Sequence, residues 1–356
     1  MNGIPADDDI RFLNALNREL KMGYPVDVRD AVLRRQYGMS QICINTRGCT
    51  AGMRGSCLFC NYPRGKGITL ETAGSAMDEL LNSVKQSDRS VLIGSCGSVL
   101  DPSEVPEEIL DTILDRLSIL KDRTIIFESR LEPITDDTLE RIGRTLKSNK
   151  INIEFGLEAV DPFILRYCLN KHINLEDVKK KISSIRSHGF TATANILVGV
   201  PFLTKEEQIG SAIDSVGWAL DAGVDEIVLF PVNIRHGTVL KELYDIGMYG
   251  PVDLGMMTSV LCGLDRKKLD KISFSWSDPK EVDDPVIHVH PNVDDDRVFS
   301  FFREFMSEPS SDGRSKILDG YMEGRIAIGP SALDRDAASG RIAEAIGVLR
   351  AKFPDQ

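Results

Sequence analysis

Three cysteines lie close together near the start of the chain. In the stretch "CTAGMRGSCLFC", Cys49, Cys57 and Cys60 have the spacing Cys-x7-Cys-x2-Cys, in a chain of 356 residues with seven cysteines. The final pair can present two sulfurs to a metal within one turn, and Cys49 adds a third thiolate. A closed zinc site needs four ligands, and iron–sulfur clusters ordinarily take four cysteines. Three cysteines therefore predict a metal site with one open position, a property of catalytic centres.

A second interpretation of the same residues stays open. Cys43 lies between two isoleucines in a strand-like run, so alternation can turn it towards the triplet as a fourth ligand. The site would then be a non-catalytic zinc or iron–sulfur binding module. Disulfides are disfavoured, because the number of cysteines is odd and a chain of this size does not need covalent cross-links. The four cysteines outside the triplet lie in apolar contexts, which favours buried thiols over ligands: Cys43, Cys96, Cys168 and Cys262.

The elements that must position the triplet alternate between strands and helices. Six runs rich in Val, Ile and Phe predict strands: 41–46, 90–96, 124–130, 151–158, 193–200 and 225–232. Stretches with helical apolar spacing separate them: 70–86, 106–120, 135–148, 175–189 and 204–223. Such alternation implies parallel strands, hence an α/β barrel or an open doubly wound sheet. Both put their chemistry at the carboxyl ends of the strands, and the triplet follows the first predicted strand.

The chain divides into three predicted parts. Residues 1–40 are expected to be an N-terminal helical extension, with helices over 9–20 and 28–38. Residues 41–255 contain the strand–helix units, and residues 256–356 are expected to be an α+β extension that caps the barrel and selects the substrate. The elements predicted in this last part are a strand over 271–277, a helix over 297–306, a loop over 310–315 and a helix over 339–353.

Composition limits the partners of the chain. Apolar residues make up 42% and charged residues 27%, which is typical of a globular protein. The 43 Lys and Arg against 54 Asp and Glu give a net charge of −11, which disfavours unaided nucleic-acid binding by phosphate neutralisation. The chain has no run of about 18 apolar residues and begins with an acidic segment rather than a signal peptide. We therefore expect a cytoplasmic protein that does not bind membranes.

The triplet, its place after the first strand and the six strand–helix units resemble the radical S-adenosylmethionine (radical SAM) superfamily. The resemblance implies a partial (βα)6 TIM-like barrel in which Cys49, Cys57 and Cys60 hold a [4Fe-4S] cluster. It also implies that S-adenosyl-L-methionine fills the open iron and is cleaved reductively to methionine and a 5′-deoxyadenosyl radical, which abstracts hydrogen from a substrate carbon. The commonest family spacing is Cys-x3-Cys-x2-Cys, so the seven-residue arm departs from the family pattern.

The resemblance also assigns cofactor-binding residues. An aromatic residue before the last cysteine lies near the adenine in the family, and a Gly-rich stretch after the second strand binds the methionyl amine. Here "GSCGSVLD" occupies that stretch but lacks the usual glutamate. A carboxylate after the fourth strand resembles a ribose-hydroxyl acceptor, and the fifth strand resembles the adenine-binding segment. The candidates are Phe59, Ser95, Gly97, Ser98, Glu158, Ile196 and Gly199.

Charged residues at the carboxyl ends of two other strands are the catalytic candidates. Glu128 and Arg130 end the third predicted strand in "ESR", and Arg235 follows the sixth in "PVNIRHGT". Buried charges at this face need partners or a substrate. We therefore predict that these three side chains contact substrate or cofactor at the barrel mouth.

Short motifs after the strands resemble one branch of the superfamily. "SVLDPSEVP", "ESR", "GLE", "VPFLT" and "PVN" are most similar to the branch containing RaSEA, the archaeosine-forming tRNA enzyme, and the elongator catalytic-subunit type. This branch implies a tRNA base side chain as substrate, although a nucleoside or another small molecule of natural-product biosynthesis fits equally. Because the chain is acidic, we expect a partner protein to present any tRNA. An external donor such as flavodoxin or ferredoxin is expected to supply the electron.

Overall fold

The computed structural model describes residues 4–24, 29–36, 38–62, 65–275, 286–287 and 295–354. Its strands are β1 (Ala31–Gln36), β2 (Met39–Ile44), β3 (Ser90–Ser95), β4 (Thr124–Glu128), β5 (Lys150–Glu158), β6 (Thr191–Val198), β7 (Glu226–Pro231), β8 (Ile234–Arg235), β9 (Ile272–Phe274) and β10 (Val286–Ile287). Eight of them form one sheet in the order β1-β2-β3-β4-β5-β6-β7-β9, and β8 pairs with β10. Only β1 runs antiparallel in the large sheet, so its remaining strands are parallel.

Helices connect and cover the strands. They are α1 (Asp7–Gly23), α2 (Thr50–Met53), α3 (Leu70–Ser83), α4 (Glu107–Leu117), α5 (Asp136–Thr145), α6 (Leu175–Ser187), α7 (Lys205–Asp221), α8 (Val239–Asp245), α9 (Leu254–Gly263), α10 (Asp295–Ser307), α11 (Ser311–Met322) and α12 (Arg335–Lys352). A π-helical turn covers Ile164–Cys168 and a 3₁₀ turn covers Arg266–Lys271. Side chains cap several barrel helices: Thr69 and Thr204 form capping boxes at α3 and α7, and Thr135 caps α5.

The six central strands β2 to β7 confirm the predicted alternation. Each is followed by a helical connection that returns to the same edge, which makes an α/β half-barrel rather than a closed one. The predicted partial (βα)6 barrel is therefore confirmed. Along β2, Ile42 and Ile44 are fully buried, whereas Cys43 between them is half-buried. The strands therefore pack one face against the helices. Their other face lines the interior of the half-barrel, which we call the lumen.

Two predictions in the terminal segments are wrong. The segment 28–38 was expected to be helical, but Ala31–Gln36 forms β1, because its backbone pairs with the free edge of β2. The expected loop over 310–315 instead begins α11. Ser310 caps this helix by accepting a hydrogen bond from the Gly313 amide, so the polar Ser-Ser-Asp-Gly run is an N-terminal signature.

Other terminal predictions agree with the structure. The strand expected over 271–277 is present over Ile272–Phe274, and its last two residues lie outside the described part of the chain. The helices expected over 297–306 and 339–353 correspond to α10 and α12. The two boundaries between the three predicted parts, after residues 40 and 255, stay predictions. Among the described residues, no helix is long and apolar enough to cross a membrane.

Candidate active site

The cysteine loop follows β2 at the carboxyl edge of the sheet. Cys49 precedes α2, and its sulfur accepts a hydrogen bond from the Gly52 amide at 3.5 Å. Cys57 adopts a left-handed backbone with φ of 58°, and the Cys60 amide donates to the Cys57 carbonyl at 3.1 Å, which closes the turn of "CLFC". All three thiols are half-buried. Phe59 is partly buried and packs on the core beside the same turn.

The surroundings of Cys43 bear on whether it joins the triplet as a fourth ligand. Within the described ranges, no three His, Cys, Asp or Glu side chains converge on a point where one metal ion could bind. Cys43 instead lies 4.0 Å, sulfur to sulfur, from Cys96, whose thiol donates to Asn45 Oδ1. A four-iron cluster takes one thiolate per iron, so its ligands need not converge. The non-catalytic zinc or iron–sulfur module in which Cys43 joins the triplet receives no support.

Burial favours the protonated thiols of Cys49 and Cys57 when no metal is bound. Burial raises the pKa of Cys57 to about 12, against the opposing effect of the Lys171 and Lys21 ammonium groups. Burial and the carboxylate of Glu104 raise the pKa of Cys49. Since metals and clusters bind thiolates, assembly must displace these protons, and the neighbouring cations favour the charged state that results.

A buried carboxylate joins the loops that follow β2, β3 and β4. Glu104 Oε1 accepts hydrogen bonds from the amide and hydroxyl of Thr50, at 2.8 and 2.9 Å, and Oε2 accepts from the Ser98 amide at 2.6 Å. Arg130 donates to Glu104 at 3.1 Å and also binds Asp101. Arg130, a catalytic candidate, thus lies beside Cys49 but is bound to carboxylates. Sequence reasoning missed Glu104, although its carboxylate in "DPSEVP" follows the stretch where a glutamate was lacking.

The Gly-rich loop lies directly against the first cysteine. A Cβ on Gly97 would lie 1.9 Å from Glu104 Oε2 and 3.1 Å from the Cys49 Cα, so only glycine permits this approach. Ser98 Oγ accepts hydrogen bonds from the Arg130 amide and Nε at 3.0 and 3.1 Å. Ser95 is fully buried, and its hydroxyl has no partner among the described residues. Buried hydroxyls are normally paired, so Ser95 retains hydrogen-bonding capacity.

Glu128 faces the lumen, as its place at the end of β4 predicts. Its Oε1 accepts a hydrogen bond from the Tyr62 hydroxyl at 3.2 Å, and Arg235 lies 5.9 Å from the centre of the Tyr62 ring. Glu154 is its register partner on β5. Burial, then the charge of Glu128, raises the pKa of Glu154 to about 8, while a hydrogen bond from Asn195 opposes the shift. The structure therefore brings Glu128 and Arg235 together, but not with Arg130.

Three residues that the resemblance assigns to the cofactor lie against other protein side chains: Glu158, Ile196 and Gly199. Glu158 has φ of 66° and forms an ion pair with Lys171, at 2.7 Å from Nζ to Oε1. Ile196 is fully buried in the core. At Gly199, with φ of 106°, a Cβ would lie within 3 Å of Val252, Val232 and the Tyr249 hydroxyl, so protein side chains fill the space that the glycine leaves.

Comparisons with known proteins add to this geometry. The family model of the radical SAM superfamily matches residues 44–236, more than half of the chain. The uncharacterized protein MJ0550 of Methanocaldococcus jannaschii is 28% identical over 62% of this chain and 62% of its own length. Archaeosine synthase subunit beta of Methanosarcina acetivorans is 24% identical over 62% of this chain and 65% of its own. The chain therefore spans less than two thirds of the length of these curated relatives.

A solved structure was also matched. The radical S-adenosylmethionine methyltransferase TsrM of Kitasatospora setae, with tryptophan and a SAM analogue bound, has a TM-score of 0.48 and 12% identity. The match covers 81% of this chain and 62% of that chain.

Proposed function

Since the chain belongs to the radical SAM superfamily of enzymes, we propose that it cleaves S-adenosylmethionine reductively with a [4Fe-4S] cluster held by Cys49, Cys57 and Cys60. The observation that carries the proposal is the loop itself. Three half-buried thiols follow the first parallel strand, at the edge where such folds place their chemistry. Three cysteines leave one iron for a ligand from outside the chain.

When bound, the cluster and S-adenosylmethionine supply a 5′-deoxyadenosyl radical that removes hydrogen from a substrate carbon. The chain contributes binding, orientation and the exclusion of water. We assign Phe59 to the adenine and Glu158 to the ribose hydroxyls, since a carboxylate can accept both hydrogen bonds of a diol. The loop after β3 lies beside the cysteine loop, since a Cβ on Gly97 would lie 3.1 Å from the Cys49 Cα, and we assign Gly97 to the cofactor. Ser95 is the register partner of the core residue Ile44, so its side chain lies on the helix-facing side of the sheet.

The substrate occupies the lumen above Glu128 in this proposal. Tyr62 donates a hydrogen bond to the Glu128 carboxylate, Arg235 lies over the Tyr62 ring, and Glu154 is the register partner of Glu128 on β5. Two neighbouring carboxyl groups bind a group rich in hydrogen-bond donors, such as a nucleobase edge or an amine. The lumen therefore favours a nucleoside or a similar small molecule over an apolar substrate.

We propose a modified nucleoside, alone or within tRNA, as the substrate class. A relative carries the name archaeosine synthase subunit beta, and the short motifs of this chain resemble the branch of the archaeosine-forming tRNA enzyme. The net charge of −11 disfavours direct tRNA binding, so a partner protein presents any tRNA. A low-potential donor such as flavodoxin or ferredoxin supplies the electron.

Anaerobic reconstitution with iron and sulfide tests the proposal. With dithionite and S-adenosylmethionine, the protein should release 5′-deoxyadenosine and methionine in equal amounts, and Cys57→Ala should release neither. The matched variant Cys168→Ala removes a fully buried thiol outside the loop and should keep the activity. A colourless protein that binds zinc and releases no 5′-deoxyadenosine would overturn the proposal.

A further inference from the structure

The N-terminal helix α1 binds the arm between Cys49 and Cys57. The fully buried Asn17 donates its side-chain amide to the Gly55 carbonyl at 2.9 Å and lies 3.3 Å from that of Ser56. Its Oδ1 accepts a hydrogen bond from the Val239 amide, which ties α1 to α8. Asn170 also donates to the Gly55 carbonyl at 2.9 Å. The arm is thus fixed by side chains of α1 and of the connection between β5 and β6, which the cysteine motif does not contain.

One turn further along α1, Lys21 places a positive charge inside the arm. Its Nζ lies 2.5 Å from the Ser56 carbonyl and 3.2 Å from the Cys57 carbonyl. The same nitrogen would lie 3.6 Å from a Cβ on Gly52, which follows Cys49 by one turn of α2. The ammonium group therefore lies between the two ends of the seven-residue arm. Asn17 and Lys21 of α1 thus contact the last part of the seven-residue arm, at the carbonyls of Gly55, Ser56 and Cys57.

We infer that α1 is part of the cluster site, where Asn17 fixes the arm and the charge of Lys21 raises the reduction potential of the cluster. The inference rests on the proposed function. On reduction the cluster gains one electron and becomes more negative, so a nearby cation stabilises the reduced state more than the oxidised one. Lys21 is half-buried, which reduces the screening of this interaction by solvent and salt.

The reconstituted protein tests the inference without any turnover. Dithionite supplies one electron to each [4Fe-4S]2+ cluster and converts it to [4Fe-4S]+, whose electron paramagnetic resonance signal is followed against the solution potential. In Lys21→Met, which removes the charge and keeps the length, the ratio of reduced to oxidised cluster at the wild-type midpoint should fall about tenfold, a shift of about 59 mV for one electron. Lys21→Arg should stay close to the wild type.

Two further variants separate charge from other effects. Lys21→Gln retains donors for the Ser56 and Cys57 carbonyls but not the charge, so it should shift like Lys21→Met. Arg11→Met removes a charge from the same helix, where the side chain is 79% exposed, and should leave the potential unchanged. Circular dichroism and iron content establish that each variant is folded and loaded.

The outcomes distinguish the inference from the proposed function. If the wild type assembles no cluster, the proposed function fails. If the wild type is loaded but Lys21→Met and Lys21→Gln keep its midpoint potential, Lys21 does not tune the cluster and the inference is overturned while the proposed function stands. If Lys21→Met does not fold, Lys21→Gln and Lys21→Arg decide. A lower midpoint potential in Lys21→Gln but not in Lys21→Arg supports the inference, and wild-type potentials in both overturn it.

Discussion

Lys171 Nζ lies 2.7 Å from Glu158 Oε1 and 2.7 Å from the Gly156 carbonyl, at the point where β5 ends. The two side chains are 11% and 12% exposed, so this is a nearly buried ion pair. The adjoining Asn170 carbonyl accepts a hydrogen bond from the Cys57 amide at 3.2 Å. The segment after the π-helical turn therefore contacts both Glu158, which we assign to the cofactor, and the cysteine loop.

Lys171→Met should weaken S-adenosylmethionine binding about tenfold and lower the free energy of unfolding by about 3 kcal/mol, because Glu158 is left buried without its partner. Equilibrium dialysis of the reconstituted protein and chemical denaturation measure the two effects. Lys179→Met, which removes an exposed lysine paired with Glu176, is the matched control and should change neither. A loss of stability with unchanged affinity would limit the pair to a structural role.

The cysteines should differ sharply in what their loss does to the cluster. Cys60→Ala removes one of the proposed ligands, so the reconstituted protein should lose most of its iron and its brown colour. Cys43→Ala should retain both, since Cys43 lies against Cys96 rather than in the loop. Iron and sulfide analysis measures the difference. Equal loss of iron in both variants would instead indicate that Cys43 is a fourth ligand of the site.

The parallel strands were predictable from the sequence, because buried strands are continuous apolar runs and the helices between them carry caps such as Thr135 and Thr204. The half-barrel was predictable only from the family resemblance, since the alternation alone also fits an open doubly wound sheet. The triplet follows the first parallel strand, so its place at the carboxyl edge was predictable in either architecture. Long-range partners were not predictable: nothing in the sequence around Asn17, Lys21 or Lys171 indicates that tertiary packing brings them to the cysteine loop. The edge strand β1 was missed for the same reason, since its pairing with β2 outweighs the local helical pattern.

Glu104→Gln should lower the free energy of unfolding by about 2–3 kcal/mol and reduce the iron bound after reconstitution. The carboxylate accepts hydrogen bonds from Thr50, Ser98 and Arg130, and an amide cannot accept at both ends. Thermal and chemical denaturation measure the first effect and iron analysis the second.

Glu132→Gln is the control for Glu104→Gln. Glu132 also approaches Arg130, at 3.9 Å, but is 53% exposed, so its loss should change the free energy of unfolding by less than about 0.5 kcal/mol. Normal iron content in Glu104→Gln would show that the network stabilises the fold without positioning Cys49.

The buried Glu154 should make stability depend on pH. Its pKa lies near 8 in the folded protein against an ordinary value of 4.5, because burial and the charge of Glu128 disfavour ionisation. Between these values the folded state keeps a proton that the unfolded chain releases, so the free energy of unfolding falls as pH rises, by up to roughly 1.4 kcal/mol per pH unit, and levels off above about pH 8. In Glu154→Gln this fall should be smaller, whereas in Glu108→Gln, at an exposed position on α4, it should match the wild type. Urea denaturation at pH 5, 6.5 and 8 measures the slopes, and equal slopes in the wild type and Glu154→Gln would mean that Glu154 is ionised within the lumen.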